Sequence, residues 1–206
     1  MLVLPRAILF DMDGTLTRPH LDFDAMKAAM GIGDRPILEA LEELTPEHRQ
    51  RALHILHDFE RRAADECELN SGCDDLLSWI RGHSIRMAII TRNSRQSVAT
   101  VLAKHRLAFD VLITREDPPY KPDPAPLLLA LKKLSTQNSP PSTSDVWMVG
   151  DGEYDVQAAA AANIRSVWIS HNQPKWFPQE PWRTVVTLHD LLGLLQSCSR
   201  RAPQRV

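Results

Sequence analysis

Asp11 and Asp13 stand one residue apart in the stretch DMDGT, directly after the apolar run AILF. Two carboxylates that close repel each other, and burial removes the water that would stabilise their charge. They are therefore either an ordinary acidic turn or the place where chemistry happens. Three more polar clusters follow apolar runs in the same way. Thr91 ends IRMAII, Lys121 lies in the Pro-rich loop DPPYKPDP beyond FDVLIT, and Asp151 with Asp155 follows DVWMVG. Each has a plain reading by itself. DxDG is a common turn, Thr91 fits a helix cap, Lys121 a surface lysine, and GDGEYD a turn leading into an acidic first helical turn. Four such clusters, in order and each at a strand end, are hard to obtain by accident.

Hydrophobic patterning supplies the elements that would carry these residues. The run 7–10 is continuously apolar, as in a central parallel strand buried on both faces. Residues 22–69 change to helical spacing, with stripes at Phe23, Met26 and Met30, at Ile37, Leu38, Leu41 and Leu44, and at Leu53, Leu56 and Phe59. GIGDRP and the cap-and-first-turn pair Thr45–Pro46 separate them. From Ser71 onward strands and helices alternate. Helices are expected at DDLLSWIRGH, over 94–105 with Val98, Val101 and Leu102 inward, and at APLLLALKKL, YDVQAAAAA and TLHDLLGLL. Strands are expected at IRMAII, FDVLIT, DVWMVG and RSVWIS, the last taken as the final core strand. STQNSPPSTS reads as a polar surface linker and SRRAPQRV as a frayed end. This order predicts an α/β fold, a doubly wound parallel sheet with right-handed crossovers and a small all-helical cap inserted after strand 1. Ligands of such sheets bind beyond the carboxyl ends of the strands, where the four clusters fall.

Composition narrows the function classes. The 206 residues suit one well-packed domain or a domain carrying a modest insertion. A formal net charge of -2 argues against a general grip on nucleic acid or anionic membrane. No stretch reaches the roughly 18 apolar residues of a membrane span, and the N-terminus lacks a signal-peptide pattern. Cys67, Cys73 and Cys198 are too few and too irregular for a disulfide framework or zinc cluster, so they read as structural thiols in a reducing cytoplasm. His54 and His57 read as part of a solvated helix face. Trp176 and Trp182 read as exposed tryptophans that could pack on the core or on a partner, and the oligomeric state is not legible.

The four motifs DMDGT, AIITRN, KPDP and MVGDGEYDVQAA together resemble those of the haloacid dehalogenase superfamily, in the phosphoglycolate phosphatase-like branch with a helical cap after the first strand. The similarity extends over nearly the whole chain, including SGCDDLLSWIRGH and TLHDL. It implies a Rossmann-like catalytic core at 1–16 and 71–206 and a cap at 17–70 that closes over the site. It also implies a Mg²⁺-dependent phosphatase working on a small phosphorylated metabolite. Asp11 would be the nucleophile and Asp13 the general acid and base. Mg²⁺, a hard cation that prefers oxygen, would take carboxylate oxygens of Asp11 and Asp151 and the backbone carbonyl of Asp13. Asp155 would sit behind them and orient Lys121 or a water. Thr91 and the amide of Arg92 would hold phosphoryl oxygens, with Lys121 neutralising them, and Arg92 and Asn93 would contact substrate. Gly152 departs from the pattern, since relatives often carry serine there.

Asp13 favours phosphoryl transfer over carbon–halogen cleavage, because an alkoxide leaving group needs a proton and a halide does not. Phosphoglycolate, sugar phosphates and nucleotides all remain open as substrates. A phosphomutase resembling β-phosphoglucomutase would use the same motifs. A non-catalytic binding or regulatory protein of this fold predicts damage at Asp11, Asp13, Lys121 or Asp151, and all four are present. In the cap, Arg18 and His20 fit either a second anion contact or a solvated hinge. EHRQRALHILHDFERR reads mainly as a solvated face, and Lys27 as a surface lysine.

Overall fold

A computed structural model describes residues 3–135 and 141–199. It divides into two compact units. One comprises Met1–Arg18, Glu68–Arg92 and Ala108–Val206, the other Pro19–Cys67 and Asn93–Leu107.

The first unit is built on six parallel strands. They are β1 (Ala7–Phe10), β2 (Arg86–Ile90), β3 (Val111–Ile113), β4 (Val146–Gly150), β5 (Arg165–Ile169) and β6 (Arg183–Val185), in the order β3-β2-β1-β4-β5-β6. Helices α4 (Cys73–Gly82), α6 (Ala125–Leu134), α7 (Glu153–Ala161) and α8 (Leu188–Ser199) cover it. β1 lies near the middle and all four of its residues are fully buried, which is why its sequence does not alternate. One face of the sheet presents Ala7, Leu9, Ala88, Ile90, Val146 and Met148 to Leu127 and Leu131 of α6 and Ala158 and Ala159 of α7. The register makes these a single surface, pairing Ala7 with Val146 and Leu9 with both Met148 and Ala88. The alanine-rich α7 thereby packs its backbone close to the sheet. α4 packs against α8, burying Leu76, Leu77 and Ile80 of one and Leu191 and Leu195 of the other.

The second unit contains α1 (Phe23–Met30), α2 (Ile37–Glu43), α3 (Pro46–Glu66) and α5 (Arg95–His105), with α1, α2 and α5 each packed on α3. Asp22 caps α1 by accepting the Ala25 amide at 2.9 Å, and Gly31 ends it in the left-handed region. Ser94 caps α5 through the Ser97 amide at 3.3 Å. Pro46 opens α3 as expected, but the Thr45 hydroxyl meets the His48 ring at 2.9 Å and caps no amide. The far end of α3 is closed by Lys104, which donates to the carbonyls of Asp65 (2.5 Å) and Cys67 (2.9 Å).

Other expectations need adjusting. β6 is a sixth strand beyond RSVWIS, short and largely exposed, and so without a hydrophobic signal. α3 buries Ala52, Leu56, Glu60, Ala63 and Ala64, a face displaced from the expected Leu53–Leu56–Phe59 stripe. Leu102 is only half-buried. Trp176 is 81% exposed, whereas Trp182 is half-buried, its ring 5.1 Å from that of Trp147. All three cysteines are free and buried, and His54 and His57 are exposed. The last residues of the expected linker enter a short 3-10 turn, Thr143–Asp145, while 136–140 lie outside the described residues. Ser199 of the expected frayed end closes α8, and the rest of that end, from 200 onward, also lies outside them.

Candidate active site

Register places the chemistry. Phe10 is level with Ile89 of β2 and Val149 of β4, so Asp11, Thr91 and Asp151 emerge together at the carboxyl edge of the sheet. The Asp11 amide still donates to the Val149 carbonyl at 2.9 Å, and the Thr91 amide to that of Ile113 at 3.0 Å. After Asp11 the chain leaves strand geometry. The amides of Thr15, Leu16 and Thr17 all turn onto the Met12 carbonyl, at 3.3, 2.9 and 3.0 Å. Gly14 takes φ +74°, and a Cβ there would lie 2.2 Å from Oδ2 of Asp151. Glycine is thus required twice over, for its conformation and for the approach of Asp151.

Lys121 reaches the same spot from the loop after β3. Its buried Nζ donates to Oδ1 of Asp11 at 2.8 Å and to Oδ1 of Asp155 at 2.5 Å. Burial alone would push this ammonium down, but the Asp11 and Asp155 charges more than reverse that, so its pKa is raised and it stays charged. The other Asp155 oxygen accepts the Gly152 amide at 3.0 Å, closing the start of α7. Asp151 accepts the Thr15 hydroxyl at 3.1 Å, and its backbone carbonyl accepts the Trp168 indole at 3.1 Å. Burial, reinforced by the Asp11 charge, pushes the Asp151 carboxyl above the ordinary carboxylate range.

Oxygens of Asp11, Asp151 and Asp155 all lie within 4.8 Å of one another. An oxygen-only donor set whose members repel each other suits a hard divalent cation, and the missing side chain at Gly14 is what lets the Asp151 carboxylate come this close to the loop. Asp13 lies outside that carboxylate set and accepts the Thr17 hydroxyl at 3.3 Å.

A family model described as haloacid dehalogenase-like hydrolase matches residues 5–163. The chain belongs to this family. Among its relatives is a haloacid dehalogenase-like hydrolase domain-containing protein of Arabidopsis thaliana, 33% identical over 162 residues, which cover 73% of this chain and 64% of the relative. A phosphoglycolate phosphatase of Pseudomonas savastanoi pv. phaseolicola is 30% identical over 226 residues, covering 95% of this chain and 80% of the relative. The fold also matches the crystal structure of a hydrolase from Pseudomonas syringae, with a TM-score of 0.75 at 21% identity over 93% of this chain and 98% of that one.

Within this haloacid dehalogenase-like hydrolase, Thr91 is buried at the end of β2. The Arg92 side chain is turned to the protein, donating to the Lys121 carbonyl at 2.7 Å and lying 4.9 Å over the Tyr154 ring. Asn93 is half-buried and opens the segment of the second unit that leads into α5. Arg18 pairs with Glu68 at 2.7 Å, His20 with Glu66 at 2.9 Å, and Lys27 donates to the Asp34 carbonyl at 3.4 Å. Asn70 and His171 are absent from the motif-based set, yet both bond to the loop after Asp11. Asn70 Nδ2 faces the carbonyls of Gly14, Thr15 and Thr17, at 3.1, 2.8 and 3.0 Å. His171 Nε2 meets the Gly14 carbonyl at 2.6 Å.

Proposed function

We propose that this hydrolase is a Mg²⁺-dependent phosphatase that cleaves a small phosphate monoester through an aspartyl-phosphate on Asp11. The observation that carries the reading is Lys121. Its buried ammonium fixes Asp11 and Asp155 together beside Asp151, giving one nucleophilic carboxylate a cationic, oxygen-rich setting for an anionic phosphoryl group. The phosphoglycolate phosphatase relative supports the same class.

An oxygen of Asp11 attacks phosphorus in line while the ester oxygen departs, taking the proton held by Asp13. Asp13, now a carboxylate, then withdraws a proton from water as that water attacks the phosphoryl group, and the acyl-phosphate bond to Asp11 breaks to release inorganic phosphate. Lys121 holds one Asp11 oxygen and so fixes the orientation of the carboxylate throughout. Thr91 and the Arg92 amide supply donors for the phosphoryl oxygens, and Asn93 contacts the substrate beyond them. Mg²⁺, held by the Asp11 and Asp151 carboxylates and the Asp13 carbonyl with Asp155 behind, would neutralise the charge that develops on those oxygens.

The test is a panel of phosphometabolites that includes phosphoglycolate, assayed with Mg²⁺ and with EDTA. One compound hydrolysed well above the rest, only with Mg²⁺, is the expected result. Asp11→Asn should remain folded and lose turnover. Full Mg²⁺-dependent hydrolysis by that variant refutes Asp11 as nucleophile.

A further inference from the structure

We propose that His171 and Asn70 are positioning residues, clamping the catalytic loop from two directions through the Gly14 carbonyl and so setting its distance from Asp151; this rests on the phosphatase reading above. His171 lies just beyond β5. It takes φ 48° and its neighbour Asn172 takes φ 61°, two consecutive non-glycine residues in the left-handed region. That conformation is strained and persists only where its surroundings enforce it. Here the Ser170 and His171 amides donate to the Val185 and Val186 carbonyls at 2.8 and 3.1 Å, and the Gln173 amide returns to the Ser170 carbonyl at 2.8 Å. The turn so enforced delivers the half-buried ring to Gly14, with Nε2 2.6 Å from the carbonyl oxygen. A carbonyl only accepts, so Nε2 carries the hydrogen.

Asn70 approaches from a different part of the chain. Besides its three side-chain contacts, its amide donates to the Leu16 carbonyl at 2.8 Å, so the carbonyls of residues 14–17 all face Asn70. The amides of residues 15–17 meanwhile face Met12. The loop is thereby held by its acceptors on one side and its donors on the other. The Gly14–Thr15 peptide is the shared point, held by both side chains. Gly14 abuts the Asp151 carboxylate at one end of that peptide, and the Thr15 hydroxyl bonds Asp151 Oδ1 at the other. Holding this peptide therefore fixes the gap between Asp151 and the loop that carries Asp11 and Asp13. Sub-ångström placement of this kind affects turnover far more than binding.

His171→Gly isolates the role, because glycine adopts this backbone freely while the ring donor is lost. The variant should melt no lower than wild type, with KM within about twofold and kcat down about tenfold or more. Imidazole added to the buffer should restore part of that loss. Asn70→Ala should also lower kcat, and the double variant should lose less than the product of the single losses, since both act on one carbonyl. Unchanged kcat in His171→Gly, or a loss wholly explained by less folded protein, overturns the clamp. Hydrogen exchange at the amides of residues 15–17 reads it without any substrate. Exchange about tenfold faster in His171→Gly supports it, and unchanged exchange overturns it even if wild type hydrolyses nothing on the panel.

Discussion

Lys121 is the residue whose loss should be most informative, because its two functions separate. It is buried and bonded to the carboxylates of Asp11 and Asp155, and burial pushes the Asp155 carboxyl above the ordinary carboxylate range. Lys121→Met leaves Asp11 and Asp155 facing each other without a cation, which should destabilise the protein by about 3–5 kcal/mol in urea unfolding and abolish turnover. Adding Asp155→Asn removes one uncompensated charge yet keeps an oxygen for the Gly152 amide. The double variant should recover about half of the lost stability and none of the activity. If stability does not return, the loss comes from packing and not from charge. Asp11, Asp13 and Asp151 stood out in the sequence because acids directly after apolar runs rarely recur by accident, and Lys121, in a loop further from its strand, because KPDP takes its place in the order of the motifs. Asn70 and His171 carried no such signal. Their bonds to Gly14 span 56 and 157 residues, and an isolated Asn or His in a loop looks the same whether it clamps a catalytic turn or faces water.

At the scale of elements, legibility tracked the size and continuity of apolar side chains. β1 and β4 are wholly buried and read directly, while β6 has three residues of which two are exposed, leaving nothing for a pattern to detect. In α3 the buried face is made of alanines, Leu56 and Glu60, so a search for large apolar residues finds a neighbouring stripe. α4 shows competition within one element. Cys73 is its first residue, where the helix dipole favours a thiolate, yet the thiol is buried. Burial, with Asp74 adding and Arg81 opposing, pushes its pKa from 9.0 up to about 12. Above the lower value the unfolded thiol gives up its proton and the folded one keeps it, so stability must fall as pH rises. Between pH 9.0 and about 12 this thiol should remove about 1.4 kcal/mol per pH unit. Urea melts across that range should show the slope in wild type, and Cys73→Ala should reduce it by that amount. Equal slopes would mean that the thiol ionises alike in both states.

For the whole molecule, the cost of the site and the benefit of its ion should appear in the same melting curve. The parallel order of the strands gathers Asp11, Asp151 and Asp155 at one sheet edge, where they repel each other at reduced solvation. Lys121 offsets the charges of Asp11 and Asp155 but bonds no oxygen of Asp151, so without a metal ion the arrangement weakens the folded state relative to an unfolded chain in which all three carboxylates are hydrated. A cation bound only by the folded form reverses this by mass action. Mg²⁺ at about 100 times its Kd adds about 2.7 kcal/mol, a rise of about 5–10 °C in Tm for a chain of this size. Asp151→Asn tests both halves of the account in one variant. It removes one of the repelling charges while keeping an oxygen for the Thr15 hydroxyl, so in EDTA it should melt no lower than wild type. It also removes one of the carboxylates assigned to the ion, so its Tm should move by no more than about 1 °C when Mg²⁺ is added. A variant that melts well below wild type in EDTA would show Asp151 to be a structural anchor. One that keeps the full Mg²⁺ response would place the ion elsewhere.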